Sequence, residues 1–82
     1  MMTANRTQWT VWVITVYNRD GIWHWRETDP AEAIAKARMQ QFTPPLNDRF
    51  TEKNALGRLI DGETLTVWCL DGTLITIHPI HL

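Results

Sequence analysis

The sequence predicts a small α+β domain of ββααββ order, in which two β-hairpins form one antiparallel sheet and two short helices lie between them. Three observations carry this reading. Residues 9–17, WTVWVITVY, are an unbroken run of β-branched and aromatic side chains that suits a pleated surface far better than a helix. Residues 28–32, TDPAE, have the composition of a helix start. Residues 63–80 hold two further apolar runs joined by Asp71-Gly72, a pair strongly preferred in tight hairpins. A chain of 82 residues leaves room for one domain, residues 1–82, with one modest core.

Residues 1–7 are polar and are expected to fray. After the first strand, Asn18-Arg19-Asp20-Gly21 supplies a turn, and residues 22–26 return as the partner strand. A two-residue loop at Asp20-Gly21 and a four-residue loop over 18–21 share one parity. In either case Trp12, Ile14 and Val16 face the same way as Trp23 and Trp25. The opposite face then carries Trp9, Val11, Val13, Thr15 and Tyr17 beside Ile22, His24 and Arg26, and neither face is plainly polar.

Asp29 is placed to cap free backbone N–H groups, Pro30 suits the first helical position, and Glu32 stands three residues after the cap. Two stripes compete for the buried side of this helix: Ala33, Ile34, Ala37 and Gln41, or Ala31, Ala35, Met39 and Phe42. The first is expected to face the sheet, because small alanines allow close approach above the tryptophans, with Met39 and Phe42 folding over the edge. Thr43-Pro44-Pro45-Leu46-Asn47-Asp48 stops the helix and is linker-like.

Residues 51–60 place Ala55, Leu56, Leu59 and Ile60 at helical spacing, with Gly62 as a left-handed terminator. The competing reading is a three-strand meander turning at each Asp-Gly, since LIDGETL echoes LDGTLI. In the second hairpin a two-residue loop at Asp71-Gly72 would pair Cys69 with Leu74, Val67 with Thr76 and Leu65 with His78 on one face. Trp68 would then pair with Ile75, and Thr66 with Ile77, on the other. Pro79 lacks a ladder donor, so the last strand is expected to be an edge or to end there.

Charge and composition exclude several classes of function. A formal net charge of -1, from 8 basic and 9 acidic residues, argues against duplex nucleic acid held by phosphate neutralisation and against a basic membrane-surface helix. One cysteine cannot make an internal disulfide, there is no signal-peptide layout, and no run approaches the ~18 apolar residues of a membrane span. The expected address is the cytoplasm.

The chain contains no serine, which removes serine nucleophiles, and Cys69 lies inside an expected strand and is read as core. His78 and His81 are three apart, which puts them on opposite faces of a strand, and Cys69 is too far along the ladder to join either, so no metal site is expected. Asp20, Asp61 and Asp71 sit in Asp-Gly steps and Asp29 in a cap, while Glu27, Glu32, Glu52 and Glu63 do not converge. The four glycines are dispersed, leaving no phosphate loop. The expectation is a non-enzyme without cofactor or metal.

Five tryptophans in so short a chain call for an account. Trp12, Trp23, Trp25 and Trp68 are assigned to a core that must be filled with large side chains. Trp9, Val11, Val13, Tyr17, Ile22, His24 and Arg26 are the candidate binding residues, because aromatics and arginine are what binding surfaces concentrate. The alternative is that the helix over residues 51–60 caps this face.

The layout of an N-terminal strand pair, a helix written DPAEAIAKA and a closing hairpin written TLTVWCLDGTLITI resembles small accessory proteins encoded by phages and mobile elements, some anti-CRISPR inhibitors among them. The resemblance covers most of the chain in layout but includes no diagnostic motif, and it carries no functional residue over. It implies a non-catalytic protein that binds and obstructs a macromolecular partner, such as a host defence complex. Two alternatives are a nucleotide- or signal-molecule-binding protein that stacks a base on Trp and Arg planes, and a single-stranded nucleic-acid binder. A homodimer is also expected, joined through the outer face of the first hairpin or an edge strand, with His24 and Arg26 at its rim.

Overall fold

The computed structural model describes residues 10–82, so residues 1–7, expected to fray, and Trp9 lie outside the described residues. The elements are β1 (Thr10–Asn18), β2 (Gly21–Glu27), α1 (Pro30–Met39), a 3-10 turn (Arg49–Thr51), α2 (Ala55–Ile60), β3 (Leu65–Trp68) and β4 (Leu74–His81). The four strands form one antiparallel sheet in the order β2-β1-β4-β3. This is the expected α+β domain of ββααββ order.

The first hairpin has the expected parity. Tyr17 pairs with Ile22, Val16 with Trp23 and Ile14 with Trp25, and the ladder closes at Asn18 and Gly21 around Arg19-Asp20. At the tip, the Asp20 amide donates to Asn18 Oδ1 at 2.8 Å.

The second hairpin differs from expectation by one residue. Trp68 pairs with Leu74, Val67 with Ile75, Thr66 with Thr76 and Leu65 with Ile77. Its loop holds three residues, Leu70 to Gly72: the Cys69 amide donates to the Thr73 carbonyl (2.8 Å), and the Gly72 amide to the Cys69 carbonyl (3.0 Å). Gly72 has φ 89, the left-handed residue that a type I turn followed by a bulge requires. An odd loop reverses the parity, and burial explains why it wins. Leu65, Val67, Cys69, Ile75 and Ile77 now share one face and are all buried, whereas the two-residue register would have divided them between faces.

The bond between Cys69 and Thr73 also sets which backbone groups point where, because hydrogen-bonded pairs alternate along an antiparallel ladder. Thr73, Ile75, Ile77 and Pro79 turn their backbone groups toward the β3 side, and Leu74, Thr76, His78 and Ile80 toward β1. Pro79 is therefore not at a sheet edge, as expected, but on a central strand. Its missing N–H is directed past Leu65↔Ile77, the last β3 pair, where no ladder bond is lost.

Both helices lie on one face of the sheet. Trp12, Ile14 and Val16 of β1, Ile75 and Ile77 of β4, and Leu65 and Val67 of β3 form one cluster with Ala33 and Ala37 of α1, Ala55 and Leu59 of α2, Cys69 and Phe50. The expected stripe of α1 faces the sheet: Ala33 and Ala37 are buried, and Ile34 packs against the cluster. The Asp29 carboxylate accepts from the Ala31 amide at 2.9 Å and Pro30 opens the helix, as its sequence signature predicts. Met39 and Phe42 do not fold over the edge but stand exposed, and the core takes its phenylalanine from the 3-10 turn, where Phe50 is buried.

α2 is shorter than residues 51–60 and ends in a Schellman motif, with the Gly62 amide on the Leu59 carbonyl (3.0 Å) and the Glu63 amide on the Arg58 carbonyl (2.9 Å). Gly62 has φ 93, so the terminator reading holds and the meander does not. The alternative in which this helix caps the outer face of the first hairpin is also overturned: Ala55 and Leu59 are buried on the same side as α1.

The double-proline stretch is more than a linker. It runs along the outer edge of β3, bridging Pro45 to Cys69. The Leu46 amide donates to the Trp68 carbonyl (2.7 Å) and the Leu70 amide to the Pro44 carbonyl (3.0 Å). Asn47 Nδ2 donates to the Thr66 carbonyl (3.0 Å), and Asn47 Oδ1 accepts from the Trp68 amide (3.1 Å). These are the groups of Thr66, Trp68 and Leu70 that alternation turns outward, so this edge is closed to further pairing.

The Asp71 carboxylate accepts from the Thr73 amide at 3.0 Å, and this bond holds its pKa below the ordinary aspartate range, with a weaker contribution from Thr43. A depressed carboxylate pKa contributes stability that is present at neutral pH and is lost as pH falls through the folded-state value. The unmodified protein is expected to lose this increment in acid and Asp71→Ala to lack it at every pH. Denaturation midpoints from pH 7 downward check this, and parallel curves for the two proteins would count against it.

Candidate binding surface

The face of the sheet opposite the helices is built in rows by the strand register. Ile22, Tyr17, Leu74 and Trp68 form one row across all four strands. His24, Thr15, Thr76 and Thr66 form the next, followed by Arg26, Val13 and His78, and then Val11 and Ile80. Six of the seven candidate residues, Val11, Val13, Tyr17, Ile22, His24 and Arg26, therefore share this face. Trp9 lies outside the described residues.

Their roles divide by burial. Val13 and Thr15 are buried on the central strand and form a floor. Thr15 Oγ1 and His24 Nδ1 share a hydrogen bond at 3.2 Å, which fixes the imidazole over the floor. Above it stand Ile22 at 57%, Trp68 at 49%, Tyr17 at 40% and Ile80 at 39% exposure. Arg26, His24 and His78 lie among them, and the strand rows of this face contain no carboxylate. Asp20 and Asp71 line an open cleft of about 630 Å³ at the turn end, where Tyr17 and Trp68 also contribute.

Trp68 is the principal correction to the expected site. It was assigned to the core, but the three-residue loop turns it onto the open face. Trp23 is also 43% exposed, on the helix side but beyond the cover of α1. Trp12 is buried and Trp25 half-buried against the core, as assigned. Leu74, Thr76, His78 and Ile80 were missed because their membership depends on β4 lying beside β1. The strict alternation Leu65, Val67, Cys69 and Ile75, Ile77 was the available signal: only an odd loop buries all five together.

On the helix side, a second open cleft of about 460 Å³ is lined by Val16, Trp23, Trp25 and Phe42 with Asp20 and Asp71. Two carboxylates at its mouth disfavour a phosphate-bearing ligand. Cys69 is buried, and burial, then the Asp71 carboxylate, push its thiol pKa up, the opposite of what a nucleophile needs. Glu27 pairs with Lys36 at 2.7 Å and Glu52 with Arg58 at 3.3 Å. Among the described residues, no group of three or more His, Cys, Asp or Glu side chains is placed to hold a metal ion, and no helix is long and apolar enough to cross a membrane.

Fold and surface together define an open-faced α+β domain: one sheet, one helix layer, and a bare face of aromatic and aliphatic side chains with two histidines and an arginine. Comparison with protein-family models, curated proteins and solved structures returns no match.

Proposed function

We propose that the chain is a non-catalytic binding protein that lays the bare face of its sheet on a macromolecular partner and obstructs it. The observation that carries this reading is the row Ile22, Tyr17, Leu74 and Trp68, which leaves large apolar side chains in water on a side with no helix. Such a patch on a small domain marks an interaction surface. Arg26, with no carboxylate in the strand rows around it, suits a partner whose contact surface is acidic. The partner in this reading is a host protein or protein complex, and the resemblance in layout to phage-encoded inhibitors is what makes obstruction its purpose.

A photo-crosslinking side chain at position 76, in the middle of the bare face, tests this in the organism that encodes the chain. One defined protein should be captured there, not from position 32 on the helix layer, and the Tyr17→Ala, Trp68→Ala double variant should abolish capture. Truncating central aromatic anchors costs ~2 kcal/mol or more each, enough for at least a tenfold loss per residue. Equal capture from positions 32 and 76 would sink the reading.

A second reading has its own support. Tyr17 and Trp68 are also side chains on which single-stranded nucleic acid stacks, with Arg26 two rows along the same face, away from Asp20 and Asp71, to take a phosphate. Quenching of tryptophan fluorescence by a short oligonucleotide, weakening with salt and lost in the same double variant, would select it over the first.

A further inference from the structure

The two edges of the sheet are treated oppositely. Along β3 the Thr66 carbonyl, both backbone groups of Trp68 and the Leu70 amide are paired with the segment from Pro44 to Asn47. Along β2 the alternation that turns Gly21, Trp23, Trp25 and Glu27 toward β1 turns the N–H and C=O groups of Ile22, His24 and Arg26 outward. Among the described residues nothing donates to or accepts from those six backbone groups. Of the usual protections this edge carries only the charges of Arg26 and Glu27 at its end: its seven residues, GIWHWRE, contain no proline, no lysine and no bulge.

We infer that β2 pairs with β2 of a second copy of this chain, antiparallel and centred on His24, joining two sheets into one of eight strands. The choice of a second copy rests on self-complementarity. For a two-fold axis normal to the sheet, only registers that match outward residues with outward residues form hydrogen bonds. Of these, the one opposing His24 to the partner copy's same residue also opposes Ile22 to Arg26 in both directions, and so uses all six outward groups. Shifting by two residues either way leaves two of them unpaired.

The side chains agree with that register. On the helix side it sets Trp23 of each copy against Trp25 of the other, in non-hydrogen-bonded pairs where side chains approach most closely. Trp23 is 43% exposed in the single chain, and this pairing covers it with another aromatic. Gly21 opposes Glu27, whose carboxylate is already held by Lys36, and no carboxylate opposes a carboxylate or guanidinium a guanidinium. The helix layers fall on one side, and the two bare faces become a single surface. The inference does not depend on what that surface binds.

Light scattering on the full chain is the test. The unmodified protein should run at twice 9.6 kDa at about 10 µM. His24→Glu and His24→Lys each place like charges across the axis and should each weaken the dimer at least tenfold, while His24→Gln leaves it intact. An equimolar mixture of the Glu and Lys variants should return to the dimer mass, which a misfolded variant cannot do. A monomeric unmodified protein at about 100 µM would overturn the inference. So would a dimer indifferent to charge at position 24, or a mixture that stays monomeric.

Discussion

Trp12→Ala is expected to remove most of the stability of the chain. The side chain is buried on central strand β1, within the cluster that both helices share. Truncating a buried tryptophan costs ~3–5 kcal/mol, against the ~5–15 kcal/mol that holds a typical domain together, and one this short sits toward the lower end. Trp12 also reaches across the layers: its Nε1 donates to the Leu59 carbonyl at 3.1 Å, tying β1 to the last turn of α2. That carbonyl keeps a second donor, the Gly62 amide. Losing the indole bond alone should therefore cost only ~1 kcal/mol beyond the packing term. Trp12→Phe separates the two contributions, because it retains most of the ring and none of the donor. Denaturant titration should place Trp12→Phe between the unmodified protein and Trp12→Ala. Equal losses in the two variants would show that filling the core is not what Trp12 does.

Ile75→Asp is expected to do as much damage. The side chain is fully buried on central strand β4 and belongs to the cluster that holds Leu65, Val67 and Cys69 on the same face. A carboxylate there loses its water without gaining a partner and forfeits the packing of the isoleucine, a combination that costs ~4 kcal/mol or more, close to the whole stability of a small domain. Ile75→Val, which keeps the site apolar, should cost only ~0.5–1.5 kcal/mol. Thermal unfolding followed by near-ultraviolet circular dichroism distinguishes these outcomes. An Ile75→Asp variant that still melts cooperatively near the parent temperature would show that this position is not part of the packed core.

Several features could be read from the residues because their physics is local. The strand character of TVWVITVY, the Asp29 cap with Pro30 behind it, the alanine stripe of α1 and the left-handed Gly62 involve groups within a few residues of one another, and each stands in the structure as expected. The parity of the first hairpin is of the same kind. It was enough to bring Val11, Val13, Tyr17, Ile22, His24 and Arg26 to one face without knowledge of what lay beside them.

What escaped was decided at longer range. Asp71-Gly72 suggested a two-residue loop by local preference, and the burial of Leu65, Val67, Cys69, Ile75 and Ile77 overrode it, moving Trp68 from core to surface. That β4 lies beside β1, that α2 covers the same face as α1, and that a segment read as a linker seals β3 while β2 stays open all depend on partners tens of residues apart. Sequence by itself determined the order and kind of the elements and which way the first hairpin alternates, because propensity, capping and turn chemistry act between near neighbours. Only the tertiary structure decided the second register, the bare face and the unsealed edge, because each is set by which distant apolar side chains and backbone groups find one another when the core closes.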